Sequence, residues 1–389
     1  MECVNVSSMV RTREFPLKRL LFVVTEDWYF VSHRLYMATV AVKAGYKVAL
    51  LSKTSKYQEL IEESGIEVIN WSLNRRSRNL ISEFKAFREI SAVIDRFKPD
   101  IVHSVALKPI LYSALQLKRK GAYANIYALG GLGFIFSSSK VKAQILRFLL
   151  VVILRWVLAG ERVRVILQNP DDFNLLLRLK VITNDKTRLI PGVGVDTILF
   201  SPSPKLHDKP IVLLPARILW DKGIADFVEI ANRMKSYEVN VRFVLVGDPD
   251  PHNPESVSIL QLEEWIKKGV IEWWGHKEEM QNIYQQATIV CLPSYREGLP
   301  KSLLEAASCA LPIVTYDVPG CREVVIDGIN GFLIPLKDEN SLLNAIKKLL
   351  DDASLCDKFG QAGRELVIRK FSQQKIASET KKIWEEVLS

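Results

Sequence analysis

Metal-ligand and disulfide patterns are missing from this chain. Its 389 residues hold five cysteines, Cys3, Cys291, Cys309, Cys321 and Cys356, and five histidines, with no C-x-x-C pair and no zinc-type spacing. Neither disulfides nor a structural metal is expected, and a reducing compartment is the simplest setting for these thiols. The first 18 residues are mixed and charged and lack the apolar core of a signal peptide, which leads us to expect a cytosolic protein. No low-complexity tract breaks the chain, so a disordered or fibrous class is excluded.

What is there is a folded protein larger than one typical domain: 48% of residues are hydrophobic and 25% charged. With 53 basic against 44 acidic residues the net charge is +9, which favours anionic partners such as nucleic acid, phosphorylated substrates or the inner leaflet of a membrane. Apolar runs alternate with helical patterns from Leu20 to Leu167 and again from Ile211 to Pro335, predicting an α/β protein of two doubly wound, Rossmann-like parallel sheets. The expected organisation is a short extension over 1–18, a first domain over 19–200, a Pro- and Lys-rich linker over 201–210, a second domain over 211–370 and a closing helix over 371–389.

Chemistry is concentrated in the second half. The run Ser294-Tyr-Arg-Glu297-Gly-Leu-Pro300-Lys-Ser-Leu-Leu-Glu305 follows an apolar strand, Thr288 to Pro293, and Pro300 suits a first helical turn, where a missing N–H is harmless. Glu297 then sits in the loop, and Glu305 lies roughly 7.5 Å along the helix axis from Pro300. The free N–H groups around Gly298, Leu299, Lys301 and Ser302 face the same crevice, an arrangement that binds phosphate. Upstream, the strand Pro210 to Ala216 runs into Arg217-Ile-Leu-Trp-Asp-Lys222-Gly and then a helical stretch, placing two cations where a diphosphate would lie. Gly247 and the Gly275-His276 turn end two further strands on the same sheet edge, where they would border a nucleotide base. Taken singly, each of these is also what exposed charges at helix starts look like.

The Glu297-x7-Glu305 spacing, together with Arg217-x4-Lys222-Gly, resembles the retaining glycosyltransferases of GT-B fold in glycosyltransferase family 4. The resemblance implies two Rossmann-like domains facing a cleft, with a last helix crossing back onto the first. It implies that Glu305 holds the ribose, that Glu297 lies near the donor sugar, and that Arg217 and Lys222 reach the donor diphosphate without a metal or other cofactor. Gly194-Val-Asp196-Thr-Ile-Leu-Phe200 matches the family's structural segment at the domain junction. In the first half, Trp28-Tyr-Phe30-Val-Ser-His33-Arg34-Leu and Pro99-Asp-Ile-Val-His103-Ser-Val-Ala-Leu-Lys108-Pro109 resemble a bacterial subgroup that extends polyprenyl-diphosphate-linked oligosaccharides. By that resemblance Trp28, His33, Arg34 and Lys108 would hold the acceptor, and His103 would assist the chemistry.

Two departures stand out: the loop after the first strand lacks the family's paired glycines, and no histidine follows Asn125-Ile-Tyr-Ala128, where Leu129-Gly130-Gly131-Leu132-Gly133-Phe134 stands instead. The resemblance implies transfer of a hexose or N-acetylhexosamine from a nucleotide diphosphate sugar, UDP by family habit, to a lipid-linked saccharide. A sugar-nucleotide epimerase or hydrolase of the same fold is the rival reading. A nucleic-acid-binding protein is disfavoured, because the basic residues are dispersed. The run Ile145 to Ala159, with Arg147 and Arg155 about 80° apart on a helical wheel and Lys140 and Lys142 before it, is too short to span a bilayer. It suits either a core helix or an interfacial one.

Overall fold

The computed structural model describes residues 17–73, 79–121, 123–130, 141–192, 194–203 and 209–389. Residues 1–16 of the extension, with Cys3 among them, half of the proposed linker (204–208) and Gly131 to Lys140 lie outside the described residues, as does the side chain of Lys142. Two parallel sheets form the frame. The first runs β3-β2-β1-β4-β5-β6-β7. Its strands are β1 Arg19–Glu26, β2 Lys47–Lys53, β3 Glu67–Asn70, β4 Ile101–Val105, β5 Ala124–Leu129, β6 Val163–Leu167 and β7 Thr187–Leu189. The second runs β10-β9-β8-β11-β12-β13. It comprises β8 Ile211–Pro215, β9 Arg242–Val246, β10 Glu272–Trp273, β11 Ile289–Leu292, β12 Ile313–Tyr316 and β13 Gly331–Ile334.

The strands are near-continuous apolar runs because both faces of each sheet are covered by helices. β4, β5, β8, β11 and β12 are buried at every residue. Chain order reverses between β1 and β4 in one sheet and between β8 and β11 in the other. Ligands of such sheets bind outside the carboxyl ends of the strands at these reversal points. This chain is thus an α/β protein of two Rossmann-like domains. β10, anticipated as a full strand, has two residues only, because the turn at Gly275 follows at once.

The last helix, Gln373–Glu386, packs on the first domain against the helix Leu35–Lys43. Trp384 is fully buried there, edge-on to Phe22 at 6.1 Å, and Glu386 bridges Arg164 at 2.8 Å and Arg188 at 2.6 Å. The helix starts where Val195 bridges Ser372, and Gly194 (φ +77°) is required at this junction, since a Cβ would lie 2.6 Å from the Cα of Gln373. Asp196 serves the turn itself, its Oδ1 accepting from the N–H groups of Ile198 and Leu199.

The same packing corrects one sequence expectation. His103 is in the middle of β4, fully buried, with its ring stacked on Phe22 at 5.1 Å and its Nδ1 accepting from Trp384 Nε1 at 3.3 Å. It lines neither cavity of the cleft described below, and it fills the core under the last helix. Burial, with Arg34 nearby, holds its pKa well below the usual 6.5, so the ring is neutral in the folded protein. The sign of the pH effect follows. Below about pH 6.5 the unfolded chain takes up a proton that the native state refuses. The stability contributed by the neutral ring is therefore present above that pH and is lost as pH falls. We expect the melting temperature to drop between pH 7 and pH 5, and to drop less in His103→Phe; parallel curves would contradict this placement.

Candidate functional site

The turn after β8 and the loop after β11 are knitted into one unit. Lys222 ends a 3-10 turn, Trp220–Lys222, and Gly223 then opens the helix Ile224–Ser236 at φ +72°. Only glycine fits there, because a Cβ would stand 1.9 Å from the carbonyl oxygen of Pro293. The carbonyl of Asp221 accepts from Tyr295 N–H at 2.9 Å and from Ser294 Oγ at 3.2 Å. Buried Asp226 accepts from the phenols of Tyr295 at 2.9 Å and Tyr316 at 2.5 Å. The outcome is that Lys222 Nζ lies 2.6 Å from Glu297 Oε1, with the two side chains only 15% and 13% exposed. Arg217, at the other end of the turn, is more open and 3.4 Å from Asp250.

After Glu297 the chain enters the helix Lys301–Ser308 with Pro300 at its N-cap, one position before the first turn expected from the sequence. No side chain caps this end; the Leu303 N–H turns back to the Pro300 carbonyl at 3.1 Å, and those of Lys301 and Ser302 are left to the cleft. Glu305 is 8% exposed and accepts from Tyr284 Oη at 3.0 Å, with Lys301 Nζ at 3.2 Å. It lies beside the cavity rather than in its wall, and Lys301 stands between.

A cavity of about 360 Å³ opens between the two sheets' carboxyl edges. From the second domain it takes Arg217, Lys222, Glu297, Gly298, Leu299, Lys301 and Ser302, and from the first domain Tyr29, His33, Gly130 and Gln168. The domains touch through backbone here. Asn169 Nδ2 donates to the carbonyl of Gly298 at 3.0 Å, and a Cβ on Gly298 would come within 2.3 Å of the Gly130 carbonyl oxygen. A methyl group at this point has to push the domains apart. Gly298→Ala should cut turnover by about tenfold or more while leaving the melting temperature almost unchanged; equal turnover would show that this closed contact is dispensable.

His33 and Tyr29 stack at 4.1 Å with a 6° interplanar angle on the cleft's other wall. Burial, and then the charges of Lys301 and Arg34, lower the His33 pKa from 6.5 to about 3, so it presents a neutral ring. Arg34 is 3% exposed and lies beside the Tyr29 side chain, supporting that wall from behind. A second cavity, of about 460 Å³, lies next to the first and shares His33 and Lys301 with it; Arg34 is in its lining too. Trp28 is half exposed and edge-on to Tyr29 at 5.9 Å.

Other expected site residues lie apart from the cavity. Lys108 pairs with Glu83 at 2.8 Å and is in neither cavity's lining. Gly247 N–H donates to the carbonyl of Gly275 at 2.9 Å, and His276 is exposed, its N–H donating to Asp248 at 3.1 Å. These turns border the Arg217 side without lining the cavity. Gln168 and Asn169 were not anticipated, and Tyr29 and Gly130 stand in stretches singled out in the sequence without being named as site residues. The one available signal was position, since each ends or follows β1, β5 or β6 at the reversal edge.

Residues 196–366 match the family described as glycosyl transferases group 1, and residues 19–169 match the glycosyl transferase 4-like family. The chain is 28% identical over 324 residues to the N,N'-diacetylbacillosaminyl-diphospho-undecaprenol alpha-1,3-N-acetylgalactosaminyltransferase of Campylobacter jejuni, covering 79% of this chain and 83% of that one. It is 26% identical over 296 residues to the Escherichia coli UDP-Gal:alpha-D-GlcNAc-diphosphoundecaprenol alpha-1,3-galactosyltransferase, covering 72% and 74%. Among solved structures, HepE of Anabaena in complex with UDP and glucose superimposes with a TM-score of 0.77 at 16% identity, covering 94% of this chain and 99% of that one. At that identity the likeness speaks for the fold alone.

Proposed function

This chain belongs to the GT-B glycosyltransferases of group 1, related to family 4, and on that basis we propose that it moves one sugar from a UDP-sugar to a polyprenyl-diphosphate-linked saccharide. The observation that carries the proposal is the Lys222–Glu297 pair at 2.6 Å, set beside Arg217 and an uncapped helix N-terminus in one cleft. Breaking the bond from sugar to phosphate builds negative charge on the leaving diphosphate, and fixed cations and N–H groups stabilise it. Arg217 and Lys222 supply that charge in place of a metal ion. Glu305 takes the ribose hydroxyls, which replace Lys301 at its carboxylate. The acceptor enters past Trp28, His33 and Arg34.

We read the transfer as retaining. A double displacement on a protein carboxylate is disfavoured, because it needs a carboxyl pair about 5–5.5 Å apart across one bond. Here Glu297 is held by Lys222, and Glu305 by Tyr284 and Lys301. The departing diphosphate itself takes the acceptor proton on the same face. The test is the product: incubation with UDP-sugars and an undecaprenyl-diphosphate-linked saccharide should add one hexose or N-acetylhexosamine by mass, and the new anomeric proton should report the donor's configuration. An inverted linkage would remove the retaining reading, and a changed donor without lipid product would favour the epimerase or hydrolase.

A lipid acceptor places the enzyme at a membrane surface. Among the described residues no helix is long and apolar enough to cross one. The helix Val141–Leu158 is two-sided: Leu150, Val151, Leu154, Val157 and Leu158 enter the core, while Phe148, Leu149, Val152, Ile153 and Trp156 face out. Lys118 Nζ sits 4.6 Å above the Trp156 ring, adding a cation to the apolar stripe. Such a face suits an anionic bilayer. The protein should sediment with phosphatidylglycerol vesicles and not with neutral ones, and Phe148→Ser with Trp156→Ser should abolish it; unchanged sedimentation would assign that helix to packing only.

A further inference from the structure

β6 ends at Leu167, paired with Leu129 of β5, and two residues later Asn169 caps the helix Pro170–Arg178. Asn169 is fixed on three sides: its Oδ1 accepts from Asp172 N–H at 2.8 Å, and its Nδ2 donates to Asp172 Oδ2 at 3.1 Å and to the Gly298 carbonyl at 3.0 Å. Gln168 sits between these anchors, so its backbone cannot shift freely. The side chain is half-buried and lines the cleft cavity. A methyl group on Gly130 would lie 3.7 Å from its Nε2, and one on Gly298 would lie 3.5 Å from its Oε1. The carboxamide therefore spans the seam where the two domains meet. It has no hydrogen-bond partner among the described residues.

The chemistry of its surroundings narrows what it would meet. Charge in the cavity comes from Arg217, Lys222, Glu297 and Lys301, all from the second domain. Gln168 opposes them with a neutral group that offers two donors and an acceptor together. Such a group suits the hydroxyls or acetamido substituent of an uncharged sugar ring better than a phosphate. A site that hydrogen-bonds one substrate hydroxyl rejects analogues that lack or misplace it, because a half-buried carboxamide is then left unpaired.

We infer that Gln168 is a specificity-determining residue through which the first domain reads the hexosyl or N-acetylhexosaminyl ring of the donor; this rests on the transferase reading above. The nucleotide and diphosphate are held by the second domain, and the identity of the sugar is checked across the seam.

Calorimetric titration of the full chain with UDP and with intact UDP-glucose, UDP-galactose, UDP-N-acetylglucosamine and UDP-N-acetylgalactosamine needs no acceptor. The wild type should separate the four donors, and Gln168→Leu should reduce the separation by about tenfold or more while UDP affinity stays within about twofold. Gln168→Glu, which keeps only acceptors when ionised, should reorder the donors instead of levelling them. Unchanged ranking in both variants, or a wild type that binds the four equally, would overturn the inference. A parallel loss of UDP affinity would also overturn it, assigning Gln168 to holding the domains together. A wild type that binds none of these uridine nucleotides would remove the UDP-sugar reading it rests on, whereas a discriminating wild type with unchanged variants removes only the role of Gln168.

Discussion

Lys222→Ala should lower kcat about 10²–10³-fold, the range seen when one fixed group facing developing charge is removed. Lys222 is held by backbone: the 3-10 turn delivers it, Gly223 fits under Pro293, and Glu297 holds the ammonium at 2.6 Å before any donor arrives. The effect belongs in kcat because charge on the diphosphate grows as the bond breaks, so the interaction is stronger in the transition state than in the bound donor. The variant also leaves Glu297 as a nearly buried carboxylate without its partner, which raises the barrier further. Lys222→Arg should recover part of the rate, and thermal melts should show all forms folded. A change confined to KM, or a kcat within about threefold of wild type, would mean that Lys222 serves Glu297 rather than the reaction.

Glu305→Ala should act on the other parameter, raising the donor KM about 10–100-fold with a smaller change in kcat. Hydrogen bonds to a charged group contribute roughly 1.5–3 kcal/mol each, and the ribose stays bound throughout the reaction, so the loss is of uniform binding. Glu305 already has partners in Tyr284 and Lys301. Tyr284 is fully buried and its pKa is pushed well up by that burial and by Glu305, so the phenol remains protonated and keeps its bond whether or not a nucleotide is present. Lys301, 30% exposed, is the partner able to yield. Lys301→Ala should therefore leave the donor KM close to wild type. If Glu305→Ala spares KM, the carboxylate is a structural anchor for Tyr284.

The difference between these two glutamates bears on how much of the site could be read without coordinates. Glu297, Arg217 and Lys222 were legible because charged residues at a strand-to-helix turn stand out against apolar neighbours, and the turn fixes where they point. The fold was legible for a related reason: strands buried on both faces leave unbroken apolar runs such as Ile211-Val-Leu-Leu and Ile289-Val-Cys-Leu. His103 misled because its run, Ile101-Val-His-Ser-Val, gives no sign that the histidine is sealed beneath a helix almost 300 positions later. Apart from His33, the first domain's wall was illegible for the opposite reason. Tyr29, Gly130 and Gln168 carry no formal charge at neutral pH and no fixed spacing, and they meet the Glu297 loop only because three separate strands end along one edge.

The most direct test of the account is nucleotide release by the wild-type protein from its preferred UDP-sugar, measured with and without a polyprenyl-diphosphate-linked saccharide. Release that depends on the lipid and falls with Lys222→Ala is the predicted result. Equal release in its absence would contradict transfer, leaving a cleft that breaks or alters the donor without passing the sugar on.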